Sequence, residues 1–150
     1  MKEEVYEYLH DYGFNALELD AIEKENEFMF YTNVSEIRKN ITFLEEKYLD
    51  SDDIINIINS NPFMLTEKNN RLEALDSIYN GMLGIDYESM IELIKSNPET
   101  YTSSPIELQK IIEYLKNNNY NNEKIKKIII QNPKIVSMRF EEFEKAIRFN

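Results

Sequence analysis

The sequence predicts an all-α fold: a short solenoid, of right or left hand, built from helix–helix–short-turn repeats of about 35 residues. Three observations predict it. Asn61-Pro62, Asn97-Pro98 and Asn132-Pro133 recur at spacings of 36 and 35 residues. Each pair closes an apolar pattern with helical spacing: IINIINSNP, MIELIKSNP and IKKIIIQNP. And 150 residues contain only 3 Gly and 4 Pro, too few breakers for the many tight turns of an all-β sandwich, while 42% apolar residues supply a continuous core.

The repeats are taken in chain order. Residues 1–34 form a degenerate first copy. Leu9, Phe14, Leu19 and Ile22 fall in register with Leu44, Leu49, Ile54 and Ile57, and NEFMFYT stands where NPFMLTE stands one repeat later, with Glu27 replacing the proline. Terminal repeats are commonly atypical because one side meets solvent. Repeats 35–69, 70–104 and 105–139 follow. Their first helices are predicted over 35–47, 70–82 and 105–117, and their second over 51–60, 87–96 and 122–131.

In the first helix Ile37, Leu72, Leu108 and Phe143 coincide, as do Phe43, Ile78, Tyr114 and Phe149, and Leu44, Tyr79 and Leu115. In the second, Ile54, Met90 and Ile125 coincide, as do Ile57, Leu93 and Ile128. Each set marks a buried stripe. Asp50, Asp86 and Asn121 stand where an N-cap accepts orphan backbone N–H groups of the second helix, and Ser35, Asn70 and Ser104 stand there for the first, with Pro105 at the favoured first helical position. The proline ends the second helix. The residues after it form a single 3₁₀ or α turn with Leu65, Tyr101 and Val136 pointing inward. Gly84 follows its helix as a residue with positive φ.

One such unit cannot bury its stripes alone, so the copies stack into one helical-repeat domain over 1–150, closed by a capping helix over 140–150 (FEEFEKAIRFN). Tyr114 and Tyr120 take core register positions.

The segments IINIINSNPFML, GIDYESMIELIKSNPETY and YLKNNNYNNEKIKKIIIQNPKIV resemble the repeat of the mitochondrial transcription termination factor (mTERF) family, and MLGID, Met82 to Asp86, is similar to its helix-to-helix link. The resemblance covers about residues 35–149. It implies a superhelical stack of three-helix units, and binding of nucleic acid through arginines and lysines on one side. No motif here matches the family's contact residues, so none is carried over.

Residue types exclude much chemistry. There is no Cys, so no disulfide, thiolate ligand or thiol nucleophile exists, and His10 is the single histidine. Gly13, Gly81 and Gly84 form no phosphate-cradling loop. Asp50, Asp52 and Asp53 imitate a calcium loop, but Ile54 and Ile55 stand where ligand and glycine belong; the run suits a helix N-terminus. The expectation is therefore a non-enzymatic protein with no catalytic residue, metal or cofactor. No stretch nears the length of a membrane span, and MKEEVYEYLHDYGF lacks the pattern of a signal or presequence, so the expected location is cytoplasmic.

Charge points to partners. The net charge is −11, but residues 105–150 carry nine Lys/Arg against six Asp/Glu, leaving −14 on residues 1–104. The leading expectation is an acidic surface, with Asp50, Asp52, Asp53, Glu88 and Glu92 as candidates, that binds a basic protein partner, inhibition or regulation of a nucleic-acid-binding protein being one version. The alternative is a nucleic-acid binder using Lys124, Lys127, Lys134 and Arg139 in the basic C-terminal part.

Overall fold

The structure, a computed structural model, describes residues 1–148; Phe149, placed in the first-helix register above, lies outside them. Among the described residues there is no strand. The helices are α1 Glu3–Tyr12, α2 Ala16–Glu25, α3 Val34–Glu45, α4 Ser51–Ser60, α5 Asn69–Asp76, α6 Tyr87–Ser96, α7 Pro105–Asn117, α8 Asn122–Gln131 and α9 Phe140–Arg148. The contacts divide into two compact units, residues 1–69 and 70–150.

The second helix of each repeat has the predicted bounds because both ends carry chemical signals. Asp50, Asp86 and Asn121 accept the backbone N–H of Asp53, Ser89 and Lys124 at 2.8, 2.7 and 2.9 Å. Such caps stabilise a helix by about 1 kcal/mol. In the first repeat Asn15 does the same for α2 in a reciprocal capping box with Glu18. At the other end the proline starts a new turn: Pro62–Thr66 and Pro133–Ser137 are 3₁₀, 98–102 is a hydrogen-bonded turn, and Glu27–Phe30 is 3₁₀ without a proline. Leu65, Tyr101 and Val136 are buried in these turns, as expected.

The first helices depart from expectation at two starts. Ser35 is not a cap but lies inside α3, whose N-cap is Asn33; that side chain's oxygen accepts from Lys2 Nζ at 2.6 Å instead of from its own helix. Asn70 lies inside α5, which begins at Asn69. The cause is Asn40, which sits at a core register position and donates to the carbonyls of Met64 and Glu67 at 3.0 and 2.9 Å, fixing the approach to α5. Ser104 does cap α7, accepting from Glu107 N at 3.2 Å.

The unequal repeat spacings have a structural cause. After Asp76, helix α5 continues as a π-helix over Ser77–Met82, with Leu83 N donating to Ile78 O at 3.0 Å. A π turn absorbs one extra residue. It falls between Tyr79, still 35 residues after Leu44, and Met90, already 36 after Ile54. The chain then turns at Gly84, φ +64, with open space where a Cβ would stand. Gly84→Ala therefore meets no clash but must adopt a left-handed conformation; it should lower stability by about 1–2 kcal/mol in urea denaturation.

In the first unit, α1 packs on α2 and α3, around Val5, Leu9, Leu19, Ile22, Ile37 and Ile41, all at most 1% exposed. Gly13, φ +136, lets α4 approach: an added Cβ would lie 2.9 Å from Ile55 Cδ1. The two turns of the unit are joined by Asn26, whose buried amide donates to Pro62 O at 3.0 Å and Thr66 Oγ1 at 2.8 Å.

The second unit repeats the device. Asn97, the asparagine of its Asn-Pro pair, donates to Pro133 O at 2.9 Å and Ser137 Oγ at 2.8 Å. Here α9 caps α7: Tyr114 meets Phe140 and Phe143 at ring distances of 5.8 and 6.0 Å, and Glu107 accepts from Phe140 N at 2.9 Å. That backbone bond, with Lys110 beside it, holds the Glu107 carboxyl below the usual carboxylate range. Tyr114 is half-buried under α9, but Tyr120 is 39% exposed, against its core assignment. Its register partner within the unit, Ile85, is 4% exposed and has a further repeat after it, whereas no further repeat follows Tyr120 among the described residues.

Candidate binding surfaces

The sequence-derived acidic residues serve helix ends first. Asp50 is spent on its cap, and Asp52 and Asp53 occupy the first turn of α4, where negative charge favours the helix dipole. Glu88 and Glu92 are exposed on α6, one turn apart. The five divide between units: the three aspartates belong to residues 1–69 and the two glutamates to 70–150.

The four basic candidates divide as well. Arg139 is paired with Glu142 at 3.0 Å, and that carboxylate raises its pKa. Lys124 and Lys127 lie one turn apart on the exposed side of α8, and Lys134 is exposed in the turn after it. None of the three has an acidic partner among the described residues, whereas their neighbour Lys126 pairs with Glu123 at 3.1 Å. Two more arginines are engaged internally: Arg38 lies 5.1 Å from the centre of the Tyr8 ring, and Arg71 donates to Ser103 O at 3.1 Å.

One surface escaped the sequence reading. Phe28, Phe30, Tyr31 and Phe63 are 58, 52, 81 and 46% exposed along the turn edge of the first unit. Phe28 and Phe63 take equivalent places, one residue after Glu27 and Pro62, in the two turns that Asn26 ties together. The register of NEFMFYT on NPFMLTE holds the signal, yet period alone does not separate an exposed turn aromatic from a core one.

A cleft of about 390 Å³ in the first unit is lined by Lys39, Lys68, Glu36 and Glu67, with no histidine or activated nucleophile. No group of three His, Asp or Glu among the described residues is arranged to hold a metal, and no helix is long and apolar enough to cross a membrane.

The repeat with its Asn-Pro corner and amide staple is the feature to set beside known families. The family model described as mTERF matches residues 2–150. The chain belongs to the mTERF family. The match includes residues 2–34, where the proline is missing but the Asn26 staple is kept. No curated protein matches the chain. As an mTERF protein it is a helical-repeat protein of a family of binders, and what remains is the class of partner its own surfaces suit.

Proposed function

We propose that this mTERF protein is a non-catalytic docking module whose first unit receives a basic protein surface. One observation carries the reading: solvent-exposed Phe28, Phe30, Tyr31 and Phe63 sit on a unit with six Lys/Arg against 16 Asp/Glu, a net −10. Aromatic anchors ringed by charge are the energetic pattern of protein interfaces. A surface of that sign repels phosphate and attracts cationic partners. The version in which the partner is itself a nucleic-acid-binding protein, held off its target, follows from the same charge.

A second reading has its own observation. Lys124, Lys127 and Lys134 have no acidic partner among the described residues, and on residues 70–150 11 Lys/Arg nearly balance 12 Asp/Glu. They suit a phosphate backbone, and nucleic-acid binding is what the mTERF resemblance implies. Three phosphate contacts give weak binding that falls with a log–log salt slope of about −2 to −3.

Fluorescence anisotropy separates the two. The probes are an arginine-rich peptide, a short DNA duplex and a single-stranded RNA, each titrated at low and at physiological salt. The docking reading expects peptide binding that weakens about tenfold or more in a Phe28→Ser/Phe63→Ser variant, because truncating an interface anchor costs roughly 1–2 kcal/mol or more. Peptide binding indifferent to both phenylalanines is charge attraction alone, and the reading fails. Duplex or RNA binding abolished by Lys124→Glu/Lys127→Glu/Lys134→Glu establishes the second reading.

A further inference from the structure

Each unit shows what the turn asparagine and its helix do when another repeat follows. Asn26 and Asn97 reach forward to a carbonyl and, four residues later, a hydroxyl: Pro62 and Thr66 in one unit, Pro133 and Ser137 in the other. The apolar residues at the neighbouring register positions are buried: Ile22, Phe14 and Met29 at 1, 1 and 0% exposure, Leu93 and Ile85 at 1 and 4%. Glu18, on the first turn of α2, also reaches forward and accepts from Asn59 of α4.

In the repeat of α7 and α8 the same positions are present and, among the described residues, uncovered. Asn132 is exposed and donates back to Ile128 O of its own helix at 3.0 Å. Ile128 and Ile135 are only half-buried, and Tyr120 is 39% exposed. Helix α9 covers α7 and so fills the place of a following first helix. What stays open among the described residues is the place of a second helix and its turn.

We infer that the exposed face of Tyr120, Ile128, Asn132 and Ile135 is a docking site for an acidic amphipathic helix of a partner protein that ends in a Pro-x-x-x-Ser/Thr turn. The template is internal: in both units the occupant of this place is an apolar-faced helix followed by a turn that offers a carbonyl and a hydroxyl four residues apart. The sign of the charge comes from the rim. Lys124 stands in the register of Glu18, the residue that meets the incoming helix, and neither it nor Lys127 has an acidic partner among the described residues. A second copy docked by its first repeat does not fit. Its α2 carries the exposed Asp20–Lys24 ion pair in the register of Ile55 and Asn59, and its turn has Glu27 in place of the proline and the long Tyr31 in place of the short Ser/Thr side chain.

The chain itself supplies the probe: a peptide of residues 51–66, SDDIINIINSNPFMLT, which is acidic at its start and has Thr66 four residues after Pro62. A lactam on its exposed side holds it helical, so that ordering it does not mask binding. Titrated into the full chain and followed by NMR shifts, it is expected to saturate and to perturb Ile128, Asn132 and Tyr120. Asn132→Ala in the protein should weaken it about threefold to tenfold. Ile128→Glu should weaken it at least about tenfold. Lys124→Glu/Lys127→Glu, which leaves the apolar contacts in place, should remove most of its salt dependence. No saturation at millimolar peptide, an equal affinity for a scrambled peptide, or indifference to Ile128 and Asn132 overturns the inference. So does duplex DNA that displaces the peptide and is itself insensitive to Ile128→Glu, which marks a phosphate surface. The acidic probe here and the basic probe for the first unit succeed or fail independently.

Discussion

Asn97→Ala should destabilise the protein by about 2–4 kcal/mol, whereas Asn132→Ala, in the same dipeptide one repeat later, should change stability by less than about 0.5 kcal/mol. The asymmetry follows from what each amide touches. The Asn97 side chain makes three hydrogen bonds from a position 7% exposed: to Pro133 O, to Ser137 Oγ, and from Glu99 N at 3.0 Å. Truncation removes them and leaves a carbonyl and an amide inside the turn stack without partners, each costing about 1–3 kcal/mol less what water recovers. Asn132 is exposed and makes one bond to its own helix, which water replaces. Urea denaturation of both variants by circular dichroism, with unchanged m-values, is the measurement. Equal losses at the two positions would show that the asparagine serves only to end its helix, and the staple would have no energetic meaning.

How much of this was legible in the sequence depends on where the information sits. Helices α4, α6 and α8 were readable to the residue because each is bracketed by chemistry that acts within four residues: an Asp or Asn cap before, a proline after. Helices α3 and α5 begin where long-range bonds place them. Lys2 takes the oxygen of Asn33, and Asn40 holds the carbonyls of Met64 and Glu67, and no local pattern announces either. The π turn was present in the sequence as one surplus residue between two prolines, but a spacing gives no position for the insertion. The role of asparagine in Asn-Pro was likewise hidden. Its recurrence could be explained by the proline alone, and only the forward-reaching amides of Asn26 and Asn97 show that it links one repeat to the next.

The binding surfaces were legible as charge and illegible as geometry. Counting ions found the basic C-terminal part, but pairing decides which cations remain available: Arg139 and Lys126 pair with Glu142 and Glu123, and Lys124 and Lys127 have no acidic partner among the described residues. Register placed Tyr120 in the core, because register reports where a side chain points and not whether another element arrives to cover it. The same limit hid Phe28 and Phe63. An apolar residue in a turn of a repeat protein is buried or exposed according to its neighbours in the stack.

The second large effect is expected in alkali. Tyr79 is fully buried and donates its hydroxyl to Thr100 O at 2.7 Å; Tyr101 is 1% exposed and donates to Asp76 at 2.7 Å, with the two rings edge to face at 5.4 Å. Burial raises both phenols above their ordinary value, and for Tyr101 the bond to the Asp76 carboxylate raises it further. The fold thus keeps two protons that the unfolded chain releases at about pH 10. Their contribution is complete below about pH 10 and declines as pH rises toward the folded values, at about 1.4 kcal/mol per pH unit for each tyrosine, or about 2.7 for the pair. Against a total stability of roughly 5–15 kcal/mol, that loss is expected to unfold the second unit within about two pH units above 10. Tyr12 in the first unit adds to the trend: burial first, then the Glu45 charge, pushes it up to about 12, and its hydroxyl has no hydrogen-bond partner among the described residues. Urea midpoints measured across this range, with tyrosinate absorbance read on the same samples, test the argument. Tyr101→Phe should be less stable near neutrality, because Asp76 loses its donor, yet should lose stability with pH about 1.4 kcal/mol per unit more slowly than the parent. If instead all ten tyrosines ionise while the helical signal persists, the hydroxyls of Tyr79 and Tyr101 are open to water and the packing around α5 and the 98–102 turn is not as described.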